Sequence, residues 1–393
     1  MKYNFDELIE RRGTGCVKWD ECVPHSDLQV RESPEAEVIP LWVADMDFAV
    51  APAIQQAIRQ RAEHPVFAYT LVGDEYYKAV ISWFQRRHSW TILREHIIYT
   101  TGVVPAVSCV LKALTLPGER VVMLSPDYNC FFSSIRNTGC EVSESILTFH
   151  DGNHRFEVDW QDFEARCADE KTTVFLLCNP HNPTGRVWTH DELQHMSDIC
   201  HQYDVRIVSD EIHCELVMPG NTFCPMGTVD PTAIILNSPS KSFNIAGLQT
   251  ANIICTDAAT RRRIDRAINI NEVCDINPFG QVALIAAYNE SEDWLDALNL
   301  YLWDNYTALC DFAAKQLPEW TVMPLEGTYL AWVDVSACCD SVETYCEQLK
   351  EQAKVWVNPG TMYGAESGKG YIRINLACPR ALLMEALNRI TRI

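Results

Sequence analysis

The sequence is short of positive charge. Its 393 residues include 32 lysines and arginines against 53 aspartates and glutamates, for a formal net charge of -21. A surface with this balance repels the phosphate backbone of a nucleic acid and the anionic face of a membrane. The one dense basic group lies in a stretch with helical spacing and is interpreted as a solvated helix face: Arg261, Arg262, Arg263 and Arg266. We therefore expect neither nucleic acid nor membrane as a partner.

Long apolar runs and paired cysteine motifs are also missing. No run approaches the roughly 18 apolar residues of a membrane span, and Met1 to Arg12 is charged, without the apolar region of a signal peptide. The 17 cysteines are odd in number and scattered, with no CxxC pair and no Cys/His spacing typical of structural zinc. The sequence thus predicts a cytoplasmic protein with reduced thiols and no metal site.

Short apolar runs do recur, separated by longer amphipathic segments. The runs are His96–Tyr99, Arg120–Leu124, Thr173–Cys178, Arg206–Ser209, Ala233–Asn237 and Ala251–Cys255. Helical spacing separates most of them, as in Val104–Thr115 and in Thr189–Tyr203, which opens with a capping-box pattern. This alternation predicts an α/β fold with a mainly parallel sheet between helices, plus a smaller α+β domain.

The chain length favours two domains. We expect residues 51–285 to form the large domain and residues 286–393 the small C-terminal one. Residues 1–50 are expected to be an N-terminal segment that packs with the small domain.

Polar residues follow each apolar run, where ligands bind in parallel sheets. Lys241 comes after a strand and two serines, Ser238 and Ser240, whose hydroxyls can face a phosphate. Asp210 ends a strand, and Asn182 lies in a loop fixed by prolines and a glycine. A lysine amine, a carboxylate and polar donors are what pyridoxal 5'-phosphate requires of a protein.

Two further features fit the same cofactor. Gly102 precedes a helix whose first backbone N–H groups, including those of Val103 and Val104, form a natural phosphate site. Tyr128 can stack on a ring. Taken singly, each residue has an ordinary alternative: a solvated lysine, a helix-capping aspartate, a turn, or a core tyrosine.

The order of these residues along the chain resembles the class I/II aminotransferase superfamily of fold type I pyridoxal-phosphate enzymes. The residues that carry the resemblance are Gly102, Tyr128, Asn179–Gly185, Asp210–His213, Ser238–Lys241 and Arg373. Within that superfamily, Pro40–Phe48, His213 and Ser238–Gln249 look like the MalY/PatB branch of cystathionine β-lyases, or C–S lyases.

The resemblance implies roles for individual residues. Lys241 would carry the cofactor as a Schiff base and move the α-proton, Asp210 would hold the ring nitrogen, and Asn182 would donate to the phenolate oxygen. Arg373 would bind the substrate carboxylate, and Tyr69 would reach a phosphate across a homodimer interface. Three more residues would line the substrate pocket: Ala44, Trp42 and Tyr329.

Two positions depart from the wider superfamily. Many aminotransferases carry tyrosine where this chain has His213, and arginine where it has Gln249. Both changes fit the lyase branch, and they leave the strength of phosphate anchoring open.

These observations predict a β-elimination that cleaves L-cystathionine or a related S-substituted cysteine to pyruvate, ammonia and a thiol. One alternative is an aminotransferase acting on aromatic or other amino acids. Another is a regulatory protein, because some members of this branch also bind transcription regulators. The expected small-molecule partner is an amino-acid substrate.

Overall fold

Fifteen β-strands lie in the parts of the chain that this computed structural model describes, residues 2–22, 37–150, 152, 154–270 and 275–393. In chain order, β1 to β15, they are Ile39–Pro40, Ile97–Thr100, Arg120–Ser125, Glu141–Ile146, Thr148–His150, Arg155–Glu157, Thr172–Cys178, Arg206–Asp210, Ile234–Asn237, Ala251–Ile254, Thr321–Val322, Leu330–Asp334, Val355–Trp356, Asn358–Pro359 and Tyr371–Asn375.

Thirteen α-helices lie in the same described ranges. In chain order, α1 to α13, they are Val17–Asp20, Pro52–Glu63, Asp74–His88, Val103–Leu114, Asn129–Asn137, Trp160–Cys167, His190–Gln202, Met226–Val229, Ala258–Asn269, Pro278–Glu290, Glu292–Gln316, Val342–Glu351 and Arg380–Ile390. Short 3-10 turns occupy Arg94–His96, Ala246–Leu248 and Gly360–Tyr363.

A seven-stranded sheet forms the centre, in the order β2-β10-β9-β8-β7-β3-β4. Strand β10 runs antiparallel to both of its neighbours, β2 and β9, while the other pairings are parallel. Six strands therefore point the same way and their carboxyl ends meet at one edge of the sheet. The predicted mainly parallel sheet is confirmed.

Alternate residues of these strands pack on opposite faces, because successive side chains of a strand point to opposite sides. Val174 and Leu176 of β7 join an apolar cluster with α4 and α9. Phe175 and Leu177 join the larger cluster on the other face, which includes residues of α3, α7 and α10. Both faces are thus covered by helices, which explains why the strands read as continuous apolar runs.

Each predicted apolar run corresponds to a strand, and the helix predicted from the capping-box pattern is α7. Thr189 accepts from the backbone N–H of Glu192, and the Glu192 side chain accepts from the backbone of Thr189, which completes the capping box. Strand β4 was missed because its sequence, Glu-Val-Ser-Glu-Ser-Ile, contains only two apolar residues and no apolar run.

A second sheet of four strands, β11-β12-β15-β14, is antiparallel throughout. The N-terminal segment joins this half of the molecule, since β1 pairs in parallel with β13. The domain division at residues 50 and 285 stays a prediction. Within the described residues, no helix is both long enough and apolar enough to cross a membrane.

Candidate active site

The site lies at the carboxyl edge of the seven-stranded sheet. Asp210 is the last residue of β8, Asn182 follows β7, and Lys241 follows β9. Because β7, β8 and β9 are neighbouring parallel strands, their ends bring these three side chains to one place. Arg373, on β15, reaches the same place from the second sheet.

The Asp210 carboxyl group is buried, with 3% of the residue exposed. Its Oδ1 accepts a hydrogen bond from the backbone N–H of Ile212 at 3.0 Å. Burial raises the pKa of Asp210 to about 7, although that hydrogen bond and the charge of Lys241 act in the opposite direction. A cationic group placed against this carboxylate would relieve the cost of burying it.

The Lys241 amine is held inside the site, where its Nζ donates to the Ala44 carbonyl oxygen at 2.6 Å. Burial lowers the pKa of Lys241 to about 8, and the positive charge of Arg373 lowers it further. The neutral amine, which is the nucleophilic and proton-accepting form, is therefore much more accessible near neutral pH than in a solvated lysine.

Arg373 is buried, at 4% exposed, and is fixed by three contacts. Its Nη1 donates to Asn182 Oδ1 at 3.2 Å, and its Nη2 donates to the Trp42 carbonyl at 2.9 Å. The guanidinium carbon lies 4.6 Å from the centre of the Tyr363 ring. Its Nε is buried with no hydrogen-bond partner among the described residues. This orphaned donor is available to an anionic ligand.

The Ala44 carbonyl also accepts from the Tyr329 hydroxyl, at 2.8 Å. Tyr329 is fully buried, and burial raises its pKa, so the hydroxyl stays protonated. Trp42 stacks on Trp356 with ring centres 4.3 Å apart. The structure thus brings Ala44, Trp42 and Tyr329 to the Arg373 side of the site.

His213 lies at the same site, with its ring 6.0 Å from that of Tyr329. Its Nδ1 is buried and has no partner among the described residues. Burial, with the charges of Lys241 and Arg373, lowers the pKa of His213 well below its ordinary value. The ring is therefore neutral and offers one unoccupied nitrogen.

Helix α4 begins at the same edge of the sheet. Gly102 is its N-terminal capping residue, and no side chain accepts from the amides of the first turn. Pro105 has no N–H, so the Val103 and Val104 amides are the donors of that turn. Tyr128 stands nearby, at the start of α5, and burial raises its pKa.

Ser238 is held by two hydrogen bonds. Its hydroxyl donates to the Thr250 carbonyl at 2.7 Å and accepts from the Ser240 backbone N–H at 3.0 Å. These bonds shape the loop that carries Lys241. Ser240 is partly exposed, and the phosphate-binding roles of both serines stay predictions.

Tyr69 is not brought into the site by its own chain. It is 92% exposed, in a segment without helix or strand where Val66, Phe67 and Leu71 are also more than half exposed. Apolar side chains this exposed mark a contact surface.

Sequence reasoning missed several residues that build the site. Tyr363 packs under Arg373, and Asn358 donates to the Trp42 carbonyl at 3.0 Å. Asn375 donates to the carbonyls of Val43 and Asp45, at 2.6 Å each. Asn375 could have been found, because it lies two residues after Arg373 and so on the same face of β15. No local pattern marks Tyr363 or Asn358.

One group of potential metal ligands occurs among the described residues. His88, Cys214 and Glu215 place one ligand atom each within 4.8 Å of one another. Glu215 Oε1 already accepts from the Trp83 indole at 2.6 Å and pairs with His88 at 2.7 Å. These are hydrogen-bonding distances, so the Glu215 Oε1 is already engaged by two protein groups.

Comparison with known proteins gives a consistent result. The model of the family "Aminotransferase class I and II" matches residues 36–390. Cystathionine beta-lyase PatB of Bacillus subtilis is 35% identical over 391 residues, which cover 98% of each chain. Protein MalY of Escherichia coli is 34% identical, with 97% of this chain and 96% of MalY covered.

The same similarity holds in three dimensions. Cystalysin from Treponema denticola, solved with pyridoxal 5'-phosphate, superposes with a TM-score of 0.94 at 34% identity, covering 100% of this chain and 98% of cystalysin. The pyridoxal-phosphate-bound C–S lyase from Staphylococcus hominis gives a TM-score of 0.89 at 33% identity, covering 99% and 98% of the two chains.

Proposed function

Since this chain belongs to the aminotransferase class I and II family, we propose that it is a pyridoxal-phosphate-dependent carbon–sulfur β-lyase. Its substrates are L-cystathionine and related S-substituted cysteines. The observation that carries the proposal is the combination, in one buried site, of Lys241 with its lowered pKa and Asp210 with its raised pKa.

The buried polar atoms of the site fit this cofactor. Asp210 is a buried carboxylate that a protonated ring nitrogen would neutralise. Residues that would hold the ring and its phosphate are Lys241, Asp210, Asn182, Tyr128, His213, Ser240 and the amides of Gly102, Val103 and Val104. The His213 Nδ1 is buried without a partner among the described residues, and the first turn of α4 lacks a side-chain acceptor.

Pyridoxal phosphate, when bound, supplies an electron sink for charge that develops at the substrate α-carbon. The protein moves the proton: Lys241 Nζ, in its neutral form, removes it from the α-carbon. Arg373 binds the substrate carboxylate with its guanidinium and fixes which bond faces Lys241.

The overall reaction balances as an elimination followed by hydrolysis. The C–S bond breaks, the sulfur leaves with the electron pair and gains a proton, and water completes the release of pyruvate and ammonia. The Tyr329 hydroxyl, with its pKa raised by burial, keeps its proton in the pocket.

The family also contains aminotransferases, so amino-group transfer is the second candidate. It would use the same proton transfer by Lys241, but the C–S bond would stay intact and the amino group would pass to a keto acid. The regulatory role, the third alternative, stays a prediction from the sequence.

The protein is proposed to act as a homodimer. Tyr69 is exposed within one chain, as its proposed role at the phosphate of a second chain requires. The location in the cytoplasm stays a prediction from the sequence.

Product analysis tests the proposal. The holoenzyme incubated with L-cystathionine and with other cysteine S-conjugates should release equal amounts of pyruvate and thiol. A Lys241→Ala variant should release neither and should lack the visible absorbance of the bound cofactor. Exchange of amino groups between amino acids and keto acids, with no thiol released, would replace the lyase by the aminotransferase.

A further inference from the structure

The loop of residues 42–47 carries two backbone carbonyls into the site, and we call it the Ala44 loop. The Ala44 carbonyl accepts from Lys241 at 2.6 Å and from Tyr329 at 2.8 Å. The Trp42 carbonyl accepts from Arg373 at 2.9 Å. The direction of these two carbonyls therefore affects both the proton-transferring amine and the carboxylate-binding guanidinium.

Lys18, on the short helix α1, contacts the two aspartates of this loop. Its side chain is fully buried, with 0% exposed, and its Nζ lies 2.7 Å from Asp47 Oδ2 and 3.5 Å from Asp45 Oδ1. Trp19, the next residue, donates from its indole to Asp47 Oδ1 at 2.8 Å. A buried ammonium of this kind has few alternative positions, because leaving its carboxylate uncompensated is costly.

Arg11 contacts both of these aspartates and also Met46, which lies between them. Its Nη2 lies 2.6 Å from Asp45 Oδ2, and its Nη1 lies 2.5 Å from Asp47 Oδ1. Nη1 also donates to the Met46 carbonyl at 3.1 Å. The planar guanidinium fixes the relative orientation of these groups, which a flexible point charge does not.

Two amide side chains also hold the loop. Asn375 donates to the carbonyls of Val43 and Asp45, at 2.6 Å each. Asn244 donates to the Met46 carbonyl at 3.0 Å. Together with Lys18 and Arg11, these amides hold the residues on both sides of Ala44 in sequence, and so restrict the direction of its carbonyl.

We propose that Lys18 and Arg11 are positioning residues of the active site, which act through Asp45 and Asp47 to aim the Ala44 and Trp42 carbonyls at Lys241 and Arg373. The N-terminal segment thereby sets substrate affinity, although neither side chain is among the predicted site residues. This inference rests on the proposed function for its kinetic readout.

Stability alone does not account for the arrangement. A buried ion pair contributes little net free energy compared with apolar residues of the same volume. The ion pairs of Lys18 and Arg11 instead fix the orientation of the loop. Orientation matters because a displacement of about 1 Å at a reacting group can lower a rate by about two orders of magnitude. Loosening the loop should therefore alter the kinetics even where the protein stays folded.

The test compares Lys18→Met with Lys2→Met in the holoenzyme. Lys2 also pairs with an aspartate, Asp293 at 2.5 Å, but that pair is exposed and remote from the loop. Lys18→Met should raise KM for an S-substituted cysteine by about tenfold or more and speed amide hydrogen exchange in residues 42–47. Lys2→Met should change neither. The proposal is overturned if Lys18→Met lowers the melting temperature but leaves both KM and the amide exchange of residues 42–47 as they are in the unmodified protein.

A second variant covers the case in which Lys18→Met does not fold. Arg11→Met removes the other cation, whose side chain is 18% exposed and so easier to replace. The same KM increase and loop exchange are expected.

The exchange measurement also separates the two proposals. If the unmodified protein releases no thiol, the proposed function fails. Faster exchange of residues 42–47 in the cofactor-free variants would then still support the positioning role, and unchanged exchange would overturn it.

Discussion

Arg373 donates from Nη1 to Oδ1 of Asn182, at 3.2 Å, across the boundary between the two sheets. Arg373 belongs to the antiparallel sheet, on β15, and Asn182 follows β7 of the central sheet. Both residues are at least 96% buried, so the bond is shielded from water. It ties the group proposed to bind the substrate carboxylate to the amide proposed to contact the cofactor ring.

Replacing Arg373 by lysine tests the carboxylate role. Lysine keeps the charge but loses the planar fork that pairs with a carboxylate. We expect kcat/KM to fall by about 100-fold, chiefly through KM, while the visible absorbance of the bound cofactor persists.

Arg120→Lys is the matched control for that measurement. Arg120 starts β3, at the amino edge of the central sheet, and pairs with Glu141 at 3.0 Å. Its replacement should leave KM unchanged. An Arg373→Lys protein with unaltered KM would show that the carboxylate binds elsewhere.

Asp210→Asn should raise the stability of the cofactor-free protein and lower the lyase turnover of the holoenzyme. The pKa of Asp210 is raised by burial to about 7, so the folded state keeps a proton that the unfolded chain has lost. Stability from this group therefore falls as pH rises from the ordinary value of 3.8 to about 7. Without cofactor, the asparagine variant should be more stable than the unmodified protein by roughly 2 to 4 kcal/mol at about pH 8.

Thermal or urea unfolding of the cofactor-free proteins measures this difference, which should shrink to less than about 1 kcal/mol near pH 4, because the ordinary pKa of 3.8 leaves a large share of the unfolded chains protonated at that pH. Lyase turnover should meanwhile fall by about three orders of magnitude, since the ring nitrogen loses its carboxylate. Equal stability at both pH values would mean that the Asp210 carboxylate is not destabilised by burial.

The central sheet and the main site could be predicted because their signals are local. An apolar run of four to seven residues followed by Asp210 or Lys241 shows both a strand and its carboxyl end. The reversed direction of β10 could not be predicted, because pairing direction depends on neighbours distant in sequence.

The surroundings of Arg373 were missed for a similar reason. Tyr363 and Asn358 contact the Arg373 and Trp42 groups through tertiary packing alone. The hydrogen bond from the Ser238 hydroxyl to the Thr250 carbonyl could not be predicted either, because the two lie 12 residues apart in the sequence.

Glu211 is expected to be a neutral acid. Burial raises its pKa to about 8, and its Oε1 accepts from the Ser209 hydroxyl at 3.0 Å and from the Met226 amide at 2.8 Å. Its Oε2 and the Oδ1 of Asn179 are both buried acceptors without a donor among the described residues. When Glu211 is protonated at Oε2, that O–H can donate a hydrogen bond to the Oδ1 of Asn179.

Glu211→Gln should therefore cost less than about 1 kcal/mol of unfolding free energy near pH 7, while Glu211→Ala should cost about 2 to 3 kcal/mol. Urea unfolding of the two variants gives the comparison. A glutamine variant as unstable as the alanine variant would indicate that Glu211 is ionised.

Mixed dimers test whether Tyr69 of one chain and Lys241 of the other chain contribute to the same site. Tyr69→Ala and Lys241→Ala homodimers should each be nearly inactive. Equal co-expression should restore about a quarter of the unmodified activity, because half of the dimers then hold one complete site of two. No recovery in isolated mixed dimers would place Tyr69 outside the partner's site.

The most direct test of the account is the fate of sulfur in a single sample. The holoenzyme is supplied with L-cystathionine and an excess of an α-keto acid other than pyruvate, and thiol, pyruvate and the newly formed amino acid are measured together. The account predicts thiol and pyruvate in equal amounts, little new amino acid, and loss of all three products in Lys241→Ala. New amino acid formed in proportion to the substrate consumed, without thiol, would contradict it.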